Sequence, residues 1–123
     1  MRRLLPLIFL LMIIGGVCLS GVSITGAARH PDALRARLAY LKDLPGVSWV
    51  DFVRNNVYIG LKEKPEDLKY IVGDAAVAGC KVYGFVVHVF AVEEKYRYAE
   101  PRKRPIICGA TARHGKIREN TCE

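Results

Sequence analysis

The feature that most restricts the fold of this chain is a long N-terminal segment that carries no charge. Arg2 and Arg3 are followed by residues 4–28, which contain no Asp, Glu, Lys or Arg. Because a charged side chain is costly in hydrocarbon, such a segment after a positive pair is typical of a targeting sequence. We therefore expect residues 1–28 to be a signal peptide or a membrane anchor, which leaves residues 29–123 for one small domain.

The second half of this segment favours cleavage. Residues 15–28 are rich in Gly, Ser and Ala, as is the region that precedes a signal-peptidase site, and two triplets fit such a site, Thr25-Gly26-Ala27 and Gly26-Ala27-Ala28. The alternative is an uncleaved anchor formed by residues 4–24, which are long enough to span a bilayer. Cleavage predicts an exported protein, periplasmic or secreted, and the anchor predicts the same domain held at the membrane.

Apolar residues at helical spacing predict two helices. Pro31 suits the first position of a helix, because its missing N–H would be unpaired there in any case. The apolar stripe that follows consists of Leu34, Leu38, Leu41 and Leu44, and the opposite face carries Arg35, Arg37, Lys42 and Asp43. Pro45-Gly46 ends this helix. A second helix is expected from Pro65 to Gly79, and Gly79 is expected to end it in the left-handed backbone conformation.

Three segments have the composition of strands. Val47–Val53 and Val57–Leu61 are expected to form a hairpin with a tight turn at Asn55-Asn56, because Asn tolerates positive φ. Val82–Val92 is apolar on both faces, which is typical of a central or covered strand.

The order of these elements predicts an α+β fold. A short additional strand at Val22–Thr25 would complete the order β-α-β-β-α-β, the ferredoxin-like split βαβ pattern. We therefore expect residues 29–92 to form a ferredoxin-like domain, followed by residues 93–123 as a basic tail.

Part of the domain resembles a known family, the heavy-metal-associated domain of copper chaperones and metal-transporting ATPases. The matching residues are Leu41, Leu44-Pro45-Gly46-Val47, Val50, Val57-Tyr58-Ile59, Pro65-Glu66-Asp67-Leu68, Ile71 and Ala78-Gly79-Cys80-Lys81-Val82. The family's metal loop is a Cys-x-x-Cys motif, and the corresponding residues 26–32 contain no cysteine. The resemblance therefore implies the ferredoxin-like fold without the copper chemistry.

The cysteines indicate one disulfide. Export implies an oxidising compartment, and Cys108 and Cys122 flank a short glycine-containing segment, so we expect these two to pair. Cys80 is expected to be a small buried side chain. The alternative is a metal-binding or redox module built from Cys80, His88, Cys108, His114 and Cys122, although none of these has a zinc-ligand spacing. We expect no cofactor.

No motif for catalysis is present. Phosphate loops, nucleophile elbows and His-Glu-x-x-His sequences are missing from the chain, and nothing in the sequence fixes a distance between Asp51 and His88. We therefore expect a protein that is not an enzyme.

The second sheet face is the expected binding surface. Because side chains alternate along a strand, Trp49, Val53 and Tyr58 would lie on the face away from the helices. An apolar face of this size is rarely left in water, so the tail, a second copy of the chain or a protein partner should cover it. The expected function is an exported protein-interaction module that acts through this face, and the alternative is a membrane-anchored small subunit of an envelope complex.

A basic patch is expected in the tail at Arg102, Lys103 and Arg104. The formal net charge of the chain is +7. Outside the cytoplasm such a patch suits an anionic membrane surface better than nucleic acid.

Overall fold

The structure, a computed structural model, describes residues 28–123. It contains helices α1 (Pro31–Arg37) and α2 (Leu68–Tyr83), strands β1 (Val47–Val53), β2 (Asn56–Leu61), β3 (Val87–Glu93), β4 (Cys108–Arg113) and β5 (Lys116–Asn120), and 3-10 turns at Ala39–Asp43, Glu94–Tyr96 and Pro101–Lys103. The predicted targeting segment and the optional strand at Val22–Thr25 lie outside the described residues.

The five strands form one mixed sheet in the order β1-β2-β3-β4-β5. Strands β2 and β3 are parallel and are joined through α2, whereas the other neighbouring pairs are antiparallel. This arrangement confirms the α+β class and is consistent with the ferredoxin-like pattern. Within the described residues β2 and β3 are direct neighbours, and β4 and β5 extend the sheet beyond them.

Residues 93–123, predicted to be a tail, thus contribute two strands to the same sheet. Strand β4 is short and has few large apolar residues, so its alternation was not recognised. The alternation is present nevertheless: Cys108, Ala110 and Ala112 are buried on the helix side of the sheet.

The main core lies between the two helices and one face of the sheet. Leu34, Leu38 and Leu41 are fully buried, as the leucine stripe predicted, and they pack with Val72 of α2 and Ile59 of β2. This core places the first helical segment, residues 31–43, beside the start of β1.

Helix α2 continues beyond its predicted end. Gly79 lies inside the helix, and Gly84, with φ of 93°, is the left-handed residue that follows it. A Cβ at Gly79 would lie 2.8 Å from Leu34 Cδ1, so this glycine allows α1 and α2 to approach closely. The prediction that Val82 begins a strand was therefore wrong, and β3 begins at Val87.

The hairpin turn lies one residue earlier than predicted. Val53 pairs with Asn56, and the turn residues are Arg54 and Asn55, with φ of 57° at Arg54. The Asn55 side chain donates a hydrogen bond from Nδ2 to the carbonyl of Val86, at 3.0 Å, which ties the turn to the residue before β3.

Candidate functional site

The second sheet face is partly covered by the chain itself. Trp49 and Tyr58 are only 5% and 6% exposed, and together with Val92 they form a second, smaller core. The indole N–H of Trp49 donates to the carbonyl oxygen of Glu94 at 2.8 Å. Residues 93–104 therefore lie over this end of the face.

Arg104 holds this covering segment in place. Its guanidinium carbon lies 4.9 Å from the centroid of the Trp49 ring and 5.0 Å from that of Tyr58. Nη1 donates to the Asp51 carboxylate at 2.8 Å. Nε and Nη2 donate to the backbone carbonyls of Tyr96 and Arg97, at 3.0 and 2.6 Å. We call Trp49, Asp51, Tyr58 and Arg104 the Arg104 cluster.

Two predicted sites are corrected by this cluster. Trp49 and Tyr58 are core residues and do not form an exposed partner-binding face, because Arg104 and its segment cover them. Arg104 is itself 5% exposed, so it does not belong to a surface patch with Arg102 and Lys103, which are exposed.

The rest of the second face is half-buried and largely polar. Val53, Asn56, His88 and Thr111 lie there with Phe90. His88 Nδ1 lies 2.8 Å from Thr111 Oγ1, and its ring stacks on Phe90 with a centroid distance of 5.9 Å. Burial lowers the pKa of His88 below its usual value, because desolvation disfavours the imidazolium. This region lacks the large apolar area that the sequence predicted around Val53.

The cysteines are arranged as predicted. Cys108 and Cys122 form a disulfide with their Cα atoms 5.0 Å apart. Cys80 is a free, buried thiol whose Sγ accepts a hydrogen bond from the Gly115 amide at 3.1 Å.

The alternative metal site is not assembled. Cys80 and His114 line one cavity, but Cys108 and Cys122 are joined in the disulfide and His88 lies on the second face. Among residues 28–123, no group of three or more His, Cys, Asp or Glu residues is placed to hold a metal ion.

A groove runs along the outer edge of β1. It has a volume of about 390 Å³ and lies between the first helical segment and the covering segment. Its apolar wall includes Leu38, Val50 and Phe52, and its basic residues are Arg35, Lys42 and Arg97. We call these six residues and the adjoining strand edge the β1 groove.

The backbone of β1 faces this groove at alternate residues. The His88 amide donates to the Asn55 carbonyl at 3.0 Å, so the odd-numbered residues of β2 direct their backbone groups to β3. The even-numbered residues of β2 therefore direct their backbone groups to β1, where they form hydrogen-bonded pairs with Trp49, Asp51 and Val53. Val50 and Phe52 consequently direct their N–H and C=O groups outward, into the β1 groove.

The charged side chains that line the β1 groove are all basic. No Asp or Glu is among the described residues that line it. Within residues 28–123, the ion pairs involve Lys95, Lys103 and Arg104 and leave Arg35, Lys42 and Arg97 out.

The β1 groove is not evident in the sequence because its residues come from three separate parts of the chain. Helical periodicity predicts Arg35 and Lys42 on a solvated helix face, which is the usual place of such residues. Arg97 lies in a segment without periodicity. The available signal was β1 itself, which is strongly apolar and carries a single charged residue, Asp51.

Comparison of the chain with protein-family models, with curated proteins and with solved structures gave no match in any of the three cases. In the described part of the chain, neither helix has both the length and the apolar character needed to cross a membrane. The Cys108–Cys122 disulfide is compatible with an extracellular location.

Proposed function

We propose that this protein is an exported, non-enzymatic interaction module that binds an extended segment of a partner protein along the edge of β1. The observation that carries the proposal is the outward direction of the Val50 and Phe52 backbone groups at an apolar sheet edge. A strand added at such an edge gains main-chain hydrogen bonds, while pockets for its alternate side chains provide specificity.

The two edges of the sheet differ in a way that supports this function. Proteins protect an edge strand from unwanted pairing by placing charged side chains on it. Strand β5, at one edge, carries Lys116, Arg118 and Glu119 in five residues. Strand β1, at the other edge, carries only Asp51, which is bound to Arg104. Strand β1 itself therefore carries fewer charged side chains than strand β5 does.

The surroundings of the candidate acid–base groups support a role other than catalysis. Asp51 accepts a hydrogen bond from Arg104, and His88 is in hydrogen-bond contact with Thr111. A general acid–base pair needs two titratable groups that converge on one substrate position. Asp51 and His88 are instead engaged in separate contacts, with Arg104 and with Thr111.

Export is supported by two independent features. The charge-free segment before residue 29 is typical of a targeting sequence, and the Cys108–Cys122 disulfide suits an oxidising compartment. The intact mass of the protein recovered from outside the cytoplasm tests this part of the proposal, because cleavage removes the N-terminal segment and the disulfide lowers the mass by about 2 Da.

Site-specific photo-cross-linking tests the binding surface. A benzophenone amino acid is placed at Ser48, an exposed residue of the β1 groove, and in a control protein at Ile117 on the opposite edge. We expect a partner to be cross-linked from position 48 and not from 117, with the cross-linked partner residues in one extended segment. Equal cross-linking from both positions, or none from position 48, would contradict the proposal.

A further inference from the structure

We infer that the segment bound in the β1 groove is acidic, with carboxylates that pair with Arg35, Lys42 and Arg97 and apolar side chains that contact Val50 and Phe52. This inference rests on the proposed function and specifies the chemistry of the partner. It commits to a protein segment, and not to a lipid surface or a second copy of this chain.

The first step of the argument is the position of the three basic residues. Arg35 belongs to α1 and Lys42 to the 3-10 turn that follows it, so both lie on the helix side of β1. Arg97 follows the turn Glu94–Tyr96 in the segment that covers the second face. The basic residues therefore flank the strand edge on both sides.

The second step is the geometry of an added strand. Side chains of an extended peptide point alternately to the two sides of the sheet. Every residue of a segment paired with β1 would thus face a side of the edge that has at least one of these basic residues. A segment with carboxylates on both of its faces fits this arrangement, whereas a basic segment would meet like charges on both faces.

The third step is the apolar wall between the basic residues. Val50 and Phe52 are half-buried, and Leu38 is fully buried beneath them. Contact with this wall removes apolar surface from water, and the carboxylate pairs fix register and orientation. The segment should therefore combine apolar with acidic residues.

The probe for a direct test is a short fluorescent peptide in which pairs of valines alternate with pairs of glutamates. In an extended peptide this order places both valines and glutamates on each of the two faces. Matched control peptides replace all glutamates by glutamine or by lysine. We expect fluorescence anisotropy to show binding of the glutamate peptide to the exported protein, weaker binding of the glutamine peptide and none of the lysine peptide.

A pair of matched triple variants locates the charge effect. In the groove variant Arg35, Lys42 and Arg97 are replaced by serine. In the control variant the same substitution is made at Arg102, Lys116 and Arg118, which are exposed and lie outside the groove. We expect the groove variant to bind the glutamate peptide roughly tenfold more weakly, as three exposed ion pairs together would require, and the control variant to bind almost as well as the original protein.

Several results would overturn the inference. Equal loss of binding in the two triple variants would show a general charge effect, and equal binding of the glutamate and lysine peptides would show that charge is not recognised.

Hydrogen exchange of the β1 amides gives a further check. If the Val50 and Phe52 amides are protected without peptide, another part of the chain or a second copy already occupies the edge. If vesicles of anionic phospholipid displace the peptide from the original protein, the groove is a lipid site.

The inference and the proposed function fail in different ways. Methylation of alternate peptide nitrogens in the glutamine peptide removes main-chain hydrogen bonds without any change of charge. Suppose that methylation abolishes binding and that the glutamate and glutamine peptides bind equally well. The protein would then still be a strand-binding module, but its partner segment would not be acidic. Absence of any cross-linked segment at position 48 would exclude both.

Discussion

The Arg104 guanidinium and the Asp51 carboxylate form an ion pair at 2.8 Å in which the arginine side chain is only 3% exposed. The two residues are 53 positions apart in the chain. Their contact attaches the segment between β3 and β4 to the face of the sheet that the helices leave uncovered. The same segment carries Arg97 to the β1 groove, so the position of this groove depends on the Arg104 cluster.

Replacement of Arg104 by alanine is therefore expected to destabilise the protein by about 2 kcal/mol, because the carbonyls of Tyr96 and Arg97 and the Asp51 carboxylate lose a charged hydrogen-bond donor. The measurement is urea denaturation followed by the fluorescence of Trp49, the single tryptophan of the chain. Arg102→Ala is the matched control, since Arg102 is exposed and should change the free energy of unfolding by less than about 0.5 kcal/mol. Equal effects of the two substitutions would show that Arg104 has no special structural role.

The Arg104 cluster illustrates what the sequence could not reveal. Arg102-Lys103-Arg104 is a continuous basic run, and nothing local distinguishes its third member from the other two. The distinction depends on Asp51 and on the two aromatic rings, which reach Arg104 only after the sheet has formed. For the same reason, the prediction that Trp49 and Tyr58 lie on the second face is confirmed, whereas the prediction that they form an exposed binding surface is wrong.

The features that were predicted depend on local rules. The leucine stripe of the first helical segment follows from helical periodicity, and the Cys108–Cys122 disulfide follows from the short spacing of two cysteines in a chain with a predicted targeting segment. Strands β4 and β5 were missed because their apolar residues are small or few. Strand β4 pairs with β3, β5 pairs with β4, and both contact α2, in β5 through the hydrogen bond from Asn120 Nδ2 to the Lys69 carbonyl, at 2.9 Å.

Gly60 is expected to be intolerant of any side chain. A Cβ at this position of β2 would overlap the indole ring of Trp49, which lies directly over the glycine. We expect Gly60→Ala to displace the ring and to reduce the free energy of unfolding by about 1–3 kcal/mol, as overpacking usually does. A red shift of the Trp49 emission in the native protein should accompany this loss.

The control for this substitution is Gly73→Ala, which adds the same methyl group in α2. The nearest atom there is Asn120 Nδ2, at 3.1 Å, which is the end of a side chain and not part of a ring or of the backbone. Alanine also favours the helix over glycine by up to about 1 kcal/mol, so the net change should be small. An unchanged emission spectrum in Gly60→Ala would show that Trp49 does not depend on this close approach.

His88 should make the stability of the protein decrease at acid pH. Burial lowers its pKa in the folded protein below the ordinary value of 6.5. Above that value both states hold a neutral ring, and His88 adds no pH dependence. As the pH falls through about 6.5, the unfolded chain takes up the proton first and the free energy of unfolding decreases. Below the lowered pKa both states are protonated, and the loss reaches its limit.

The comparison of the original protein with His88→Gln isolates this effect. Glutamine is uncharged at every pH and retains a hydrogen-bonding group near Thr111. The difference in free energy of unfolding between the two proteins, measured in urea at several pH values, should shift in favour of the glutamine variant as the pH falls. A difference that is independent of pH, or that shifts towards the original protein, would contradict the assignment of a lowered pKa.

Removal of the disulfide is expected to destabilise the domain by about 3 kcal/mol, because Cys108 and Cys122 are separated by 14 positions and close a loop of that size in the unfolded chain. Replacement of both cysteines by alanine avoids unpaired thiols. The measurement is urea denaturation without reductant, and the original protein treated with reductant should approach the stability of the double variant. No change in either case would mean that β4 and β5 are held by the sheet alone.

The thiol of Cys80 is expected to be protected in the folded protein. Cys80 is 4% exposed, and its Sγ accepts the Gly115 amide at the turn between β4 and β5. Because alkylation requires access to the thiolate, a maleimide should modify Cys80 slowly in buffer and rapidly in urea, as measured by mass spectrometry of the Cys80 peptide. Cys80→Ser keeps an acceptor for the amide and provides the blank for this peptide. Modification in buffer as fast as in urea would show that the β4–β5 turn does not close over Cys80 as the structure describes.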